Sequence, residues 1–381
     1  MRSSPHWHVC LAPRKRAQCV LGAEKQASSF ARPIRPKKPT EMDPLRAKAT
    51  PAGNSQTESA PSQLPLKPLV VVGSINADIY VEVDRLPKPG ETLAAGSGYT
   101  LPGGKGANQA ACAAKLGYPT YFVGQVGEDG QAIMLRDELQ QCGVRTDHLR
   151  SVSGPSGQAI VMLQPGGQNS IIIVGGANTA WPELSPGQRL TSEARSLIRG
   201  AGAVLLQREV PEEINLEAAA VAESAGVTVV LDCGGADGPV SEALLQKVSV
   251  ISPNETELAR LTGRPTDTPD EVNGAAGLLK RQQHLSVLVK LGEQGSLLFP
   301  AVGEPLRQPA VPAPSVVDTT GAGDTFTAAY AVATLEGRSS KDALAFAALC
   351  ASLCVRSKGA MPSMPDRATV DKELKATQAV A

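Results

Sequence analysis

From Leu69 onward the chain alternates short, uninterrupted apolar runs with stretches rich in Ala and Leu, and this rhythm restricts its fold more than any other feature. The runs are LVVVGSINAD, YFVGQVG, AVLLQREV, VTVVLDCGG, VSVISPNE and SVLVKLG; the stretches between them include GANQAACAAKLG (106–117) and EINLEAAAVAESAG (213–226). A strand that is apolar at every residue has no solvent face and must be covered on both sides. Such strands alternating with helices predict an α/β fold, with a central, mostly parallel sheet flanked by helices on both faces. Aromatic residues make up only 3% of the chain, so its interior must be assembled from Ala, Val, Leu and Ile.

Two segments depart from the rhythm. Tyr80–Tyr99 and Gln158–Val174 alternate polar with apolar residues, and KPGE and PGGQN supply turns. This predicts a separate small sheet, with lid strands near 80–100 and 158–175. Ligands of open α/β sheets lie at the carboxyl ends of the strands, where a small sheet would act as a lid that excludes water.

Residues 1–67 differ in character from the body that follows. They hold twelve Lys/Arg and four Asp/Glu, against 25 and 33 in residues 68–381, so a leader of net +8 precedes a body of net −8. Prolines 33, 36, 39 and 44 forbid a long helix, and the Ser-, Pro- and Gln-rich segment after Thr50 reads as a linker. A basic, acid-poor, hydroxylated N-terminus predicts a transit peptide, and its prolines favour a plastid (chloroplast stroma) address over a mitochondrial one. The alternative is an extension with no targeting role before a cytoplasmic body. The acidic, aromatic-poor body argues against nucleic acid as a partner. The longest apolar run, Ala343–Val355, is too short to span a bilayer. None of the seven cysteines forms a CxxC pair, and Cys350 and Cys354, one helical turn apart, read as core.

Four polar segments can carry chemistry. In Asp318-Thr-Thr-Gly-Ala-Gly-Asp-Thr-Phe326 the glycines precede an Ala-rich helical run, so the N–H groups of Gly321, Ala322 and Gly323 would face an anion at a helix N-terminus. An acid at that place, Asp324, suits general-base work on an attacking hydroxyl, although a capped turn accounts for the segment equally well. Pro102-Gly-Gly-Lys-Gly-Ala-Asn-Gln-Ala110 also opens a helix but is no Walker A loop; Gly104, Lys105 and Asn108 could serve a polyhydroxylated ligand or a plain turn. Asn76 and Asp78 of GSINAD share one face at the end of the first strand, fit to grip adjacent hydroxyls or to close an Asx turn. Asn254 and Glu257 in SPNETE have i, i+3 spacing, which suits hydrated Mg²⁺ or a helix cap.

Taken in this order, GSINAD, PGGKGANQAA, PNETE, DTTGAGDTF and SKGAMPS resemble the PfkB family of carbohydrate kinases, most closely its plant-type ribokinase branch, over residues 69–370. The resemblance implies a ribokinase-like fold and transfer of the ATP γ-phosphoryl group to the 5-hydroxyl of ribose. Asp324 would be the base, Gly321–Gly323 the anion hole, and Asn76, Asp78, Gly104, Lys105, Asn108 and Glu209 the sugar-binding residues. Asn254 and Glu257 would act on Mg²⁺ and phosphate, and Lys290, Gly292, Gly295 and Gly323 would meet ATP; Lys290 stands where ribokinases often place Thr. A K⁺ site would draw on Asp318, Thr320, Cys354, Ser357, Gly359 and Ser363. Ala348 leaves the adenine contacts apolar or backbone, and Arg208 in QREVP has no role the sequence supplies. The exposed lid sheet implies a homodimer. Competing readings are a kinase of another small sugar or a nucleoside, and a non-catalytic PfkB-like plastid interaction protein; the intact Asp324 and its glycines argue against the latter.

Overall fold

A computed structural model describes residues 66–165 and 168–380; the predicted leader up to Pro65 and the centre of the PGGQN turn lie outside the described residues. Along the chain, β1 (Leu69–Val72) starts the large sheet, and β2 (Asn76–Glu82) and β3 (Ser97–Gly103) leave it for the small one. β4 (Thr120–Val126) and β5 (Arg145–Ser151) return to the large sheet, and β6 (Gly157–Leu163) and β7 (Asn169–Val174) complete the small one. The large sheet then closes with β8 (Ala203–Arg208), β9 (Thr228–Gly235), β10 (Val250–Ser252), β11 (Ser286–Lys290), β12 (Ser296–Phe299) and β13 (Leu306–Gln308).

The large sheet has the order β13-β12-β11-β10-β9-β8-β1-β4-β5. Its strands are parallel from β11 to β5, and β12 and β13 run antiparallel at one edge. The continuous apolar runs are buried as expected: every residue of β1 and of β8 is buried. Two hydrophobic layers cover the sheet. One holds Leu69, Phe122, Leu205 and the helices Ala322–Leu335 and Ser340–Cys354, where Ala328, Ala333, Ala343 and Ala347 allow close approach. The other holds Val70, Leu206, Ile214 and Leu231. Cys112, Cys350 and Cys354 are core residues, and burial pushes their thiols up. Among the described residues no helix is long and apolar enough to cross a membrane.

The small sheet has the order β3-β2-β6-β7, with β2 and β6 parallel between antiparallel edges. The chain reaches it directly from β1, and the Asn178 side chain holds the short connection at Ile75. Asn178 Oδ1 accepts from Ile75 N at 2.9 Å, and its Nδ2 donates to Ile75 O at 3.0 Å and to Asn76 Oδ1 at 2.7 Å. This amide grips the Ile75 backbone between the two sheets, so in GSINAD residues 73–75 form the connection and Asn76, Ala77 and Asp78 open the lid strand β2, where the sequence places the whole segment at the end of the first strand. β1 lies between β4 and β8, where the winding reverses, and the crevice at that switch point faces the small sheet.

Candidate active site

A cleft of about 1400 Å³ separates the lid from the carboxyl ends of the large-sheet strands. Asn76, Asp78, Gly104, Lys105, Asn108, Glu209 and Asp324, predicted from four distant segments, all line it. Tyr80 and Tyr99 stack with ring centroids 5.0 Å apart to form part of the lid wall.

Asp78 lies against Gly103, where a Cβ would come within 2.0 Å of its Oδ2. Its Oδ1 is buried without a partner. Burial, then the carboxylates of Glu209 and Asp324, push the Asp78 pKa up to about 7. Glu209 follows β8 and accepts from Ser74 Oγ at 2.6 Å and from Lys105 N at 3.0 Å. It thereby satisfies the start of the helix Lys105–Lys115, whose N-terminal neighbour Gly104 offers no side chain. Lys105 is held charged against its burial by Asp324 above all, then by Asp232, Glu209 and Glu257.

Asp324 sits in the first turn of the helix Ala322–Leu335 and is only 6% exposed. Asn108 Nδ2 donates to its Oδ2 at 2.9 Å and Gln109 Nε2 to its Oδ1 at 3.3 Å. Burial pushes its carboxyl up; Lys105 and the Asn108 amide oppose that, while Asp232 and Glu209 add to it. Asp324 is not the cap. Gly321 takes that place at φ +80°, with Ala360 so close that a Cβ would stand 2.9 Å away. Among the described residues, the N–H groups of Gly321 and Gly323 meet no acceptor. Ala322, predicted as a third free donor, instead donates to Thr319 O at 3.2 Å, because the left-handed turn at Gly321 folds it back.

The predicted cation-site residues gather behind this loop. Asp318 Oδ1 accepts from Thr320 N and its Oδ2 from Gly359 N, both at 2.9 Å. Burial opposes the Asp318 charge, but these donors hold its carboxyl below the usual value. Cys354 Sγ lies 3.1 Å from Ser363 Oγ and 3.8 Å from Thr320 O, and Ser357 begins the turn that returns to Gly359. Oxygen donors from two loops joined by one carboxylate fit a monovalent cation.

On the nucleotide side, Asn254 and Glu257 form a reciprocal cap on the helix Glu255–Thr262, with both bonds 2.8 Å long. The remaining carboxylate oxygen of Glu257 suits hydrated Mg²⁺. Among the described residues no three His, Cys, Asp or Glu side chains could hold a metal directly. Lys290 ends β11, donates its N–H to Pro253 O at 2.9 Å and is bridged to Asn254; Gly292 and Gly295 bracket the single turn that follows. Asn254, Glu257, Lys290, Gly292 and Gly295 lie outside the walls of the cleft, and a Cβ placed on Gly323 would stand 3.8 Å from Lys290 Nζ.

Residues 67–367 match the family described as pfkB family carbohydrate kinase. The chain belongs to this family. It is 53% identical over 342 residues to a ribokinase of Arabidopsis thaliana, covering 89% of each chain. It is 36% identical over 310 residues to a ribokinase of Bacillus subtilis, covering 81% of this chain and 100% of the other. A solved structure of Arabidopsis thaliana ribokinase complexed with ribose and ATP matches with a TM-score of 0.77 at 56% identity, over 81% of this chain and 99% of that one.

Several residues of this pfkB-family site escaped the sequence reading. Ser74 and Gln109 lie inside quoted motifs yet carried no role. Asn178 had no signal at all. Asp232 was visible as an acid within an otherwise apolar strand. Arg208, left without a role, donates to Gly238 O and Pro239 O at 2.9 Å each and pins the loop after β9.

The Asp78 pKa has two measurable consequences. Protonated Asp78 accepts fewer hydroxyl bonds, so the sugar KM rises as pH falls through about 7, and Asp78→Asn removes this pH dependence. Its raised pKa also means that its support of the fold, complete below about 3.9, is lost as pH rises through about 7. Asp78→Asn should therefore raise the sugar-free melting temperature more at about pH 8 than at about pH 5, whatever it does to catalysis.

Proposed function

We propose that the chain phosphorylates D-ribose at its 5-hydroxyl, consuming ATP and yielding ribose 5-phosphate and ADP. One observation carries this reading: the buried Asp324 lies in the first helical turn, between the sugar-side groups of the cleft and the free N–H donors of Gly321 and Gly323. Support also comes from the ribokinases it resembles, one of which was solved with ribose and ATP.

In this mechanism Asn76, Asp78, Lys105, Asn108 and Glu209, with the backbone at Gly104, hold the other hydroxyls so that the 5-hydroxyl faces Asp324. Asp324 takes the hydroxyl proton as the sugar oxygen bonds to the γ-phosphorus. The bond to the bridging oxygen breaks, and ADP leaves with that electron pair. Charge on the transferring group is met by the helix N-terminus at Gly321–Gly323, with the Ala322 N–H released from Thr319 to join it. Asn254 and Glu257 would hold Mg²⁺ through water, where the ion supplies charge neutralisation for the phosphates. A K⁺ ion in the corner formed by Asp318, Thr320, Cys354, Ser357, Gly359 and Ser363 would supply fixed positive charge behind the anion loop.

The assembly proposed is a homodimer joined through the lids. By alternation, the lid face turned away from the cleft carries Ile79, Val81, Ile160, Met162, Ile172 and Val174, of which Ile172 is 53% and Val174 40% exposed. The edge strand β7 beside it is open, and a second copy would cover both. Residues 1–67 are proposed as a plastid address.

Asp324→Asn keeps the side-chain volume and should lower kcat about 10³-fold with the ribose KM within a few-fold, since general-base catalysis contributes roughly 10²–10⁴-fold. Near-normal turnover would show that the base is misassigned. In a panel of ribose, deoxyribose, fructose and adenosine, run with and without K⁺, ribose should lead and K⁺ should raise the rate; another leading sugar overturns the substrate. Sedimentation at micromolar concentration should give a dimer that Ile172→Asp dissociates, and a wild-type monomer removes the lid interface. A fluorescent protein fused behind residues 1–67 should enter chloroplasts, and a cytosolic signal ends the targeting proposal.

A further inference from the structure

Beneath Asp324 runs a relay of two side-chain amides that an apolar interior would not need. Gln207, on β8, and Gln109, on the helix Lys105–Lys115, are both fully buried. Gln207 Nε2 donates to Gln109 Oε1 at 2.8 Å, and Gln109 Nε2 donates to Asp324 Oδ1 at 3.3 Å. The relay ends at Gln207 Oε1, which is buried and meets no partner among the described residues. That oxygen packs against two glycines: a Cβ would come within 1.9 Å of it from Gly73 and 2.9 Å from Gly106. The Gln207 backbone is held from the helix Glu212–Ser224, where Asn215 Nδ2 donates to its carbonyl at 2.7 Å.

Stability alone does not account for the relay. Replacing both members of a buried hydrogen-bonded pair by apolar groups of the same shape is nearly neutral or stabilising, and a buried oxygen without a partner carries a desolvation cost of its own. What the relay does fix is polarity. An amide has one accepting and one donating end, whereas an ionised carboxylate only accepts. With Gln207 donating, Gln109 turns its carbonyl toward β8 and its N–H toward Asp324, the orientation that favours the ionised acid. Reversing both amides would set a carbonyl against Asp324, which only the protonated acid satisfies. It would also leave an N–H group without a partner against Gly73 and Gly106. A carbonyl oxygen is the end more often left under-satisfied in protein interiors, so the unpartnered end selects the direction of the relay.

We propose that Gln207 is a positioning residue for phosphoryl transfer: without touching Asp324, it sets the Gln109 amide so that an N–H, never a carbonyl, meets the base. The proposal rests on the kinase reading above and adds to it a residue behind the site. The titratable groups facing Asp324 are Lys105 and Cys112 on the helix Lys105–Lys115, Glu209 after β8, Asp232 on β9, Asp78 on β2 and Cys354 on the helix Ser340–Cys354. Of the two amides on its carboxylate, Gln109 is the one whose carbonyl is taken by a buried donor. The Asn108 Oδ1 atom meets none among the described residues.

The test compares wild type, Gln109→Met, Gln207→Met and the double variant, by steady-state kinetics with ribose and MgATP across pH and by thermal melting. Gln109→Met removes one donor from the carboxylate, so kcat at neutral pH should fall about 10-fold and its acid limb should move up by about one unit. Gln207→Met should move both in the same direction, with the ribose KM within about twofold of wild type, since the cleft walls are untouched. Because Gln207 acts through Gln109, the double variant should be no slower than Gln109→Met. A pair with a structural role alone would shift the melting temperature and leave the acid limb where it is. Gln207→Leu, which removes the same donor with a different shape, replaces Gln207→Met if that variant fails to fold. A folded Gln207 variant with the wild-type kcat and pH profile overturns the proposal, as does a double variant about tenfold slower again than Gln109→Met. A wild type inactive on every sugar takes both readings down together; an active one, slowed by Asp324→Asn but not by loss of Gln207, removes this one alone.

Discussion

The candidate active site is organised around the buried Asp324 carboxyl and the Lys105 ammonium beside it. Burial and the carboxylates of Asp232 and Glu209 all work against its charge, and Lys105 is the largest opposing influence. The coupling is mutual: the Asp324 carboxylate is also the main influence that keeps Lys105 charged in the interior. Asn108 and Gln109, on successive residues of the helix Lys105–Lys115, each bind one Asp324 oxygen and fix the plane of the carboxylate. A carboxylate held in this way needs no reorganisation when a donor arrives.

The remaining architecture serves that small volume. Glu209 satisfies the start of the helix that carries Lys105, Asn108 and Gln109, so one carboxylate both faces the sugar cleft and stabilises the platform beneath it. Asp318 joins the loop before the helix Ala322–Leu335 to the loop at Gly359, and Gly321 can pass Ala360 only because it has no side chain. The anion loop is thus fixed from behind, and its free donors point forward. Asn178 acts similarly at the other wall, diverting the chain from the large sheet into the lid so that Asn76 and Asp78 hang over the cleft.

Charge balance unites the two halves of the site. Asp78, Glu209, Asp232, Glu257 and Asp324 share the neighbourhood with Lys105 and Lys290. A cleft so acidic would repel a triphosphate if backbone donors and positioned cations did not face it. Asp78, whose buried Oδ1 meets no partner among the described residues, is pushed up to about 7 by its burial and then by Glu209 and Asp324.

The sequence by itself determined the α/β architecture, because strands apolar at every position have only one kind of environment available. It also determined the helix-terminal place of Asp324, since glycines ahead of an Ala-rich run leave few other geometries, and it indicated the lid through the period-2 alternation of β2 and β6. Motif order was legible for the same local reasons. Only the tertiary structure decided which polar groups pair: Asn108 and Gln109 with Asp324, Ser74 with Glu209, Lys290 with Asp232, the last across 58 residues of chain. Those partners meet through the sheet order, which no local periodicity encodes. The same holds for GSINAD, whose transfer from the large sheet to the lid rests on Asn178, a residue 103 positions from the Ile75 backbone it grips. Local sequence fixes which elements form, whereas the pairing of buried charges depends on where long-range packing excludes water.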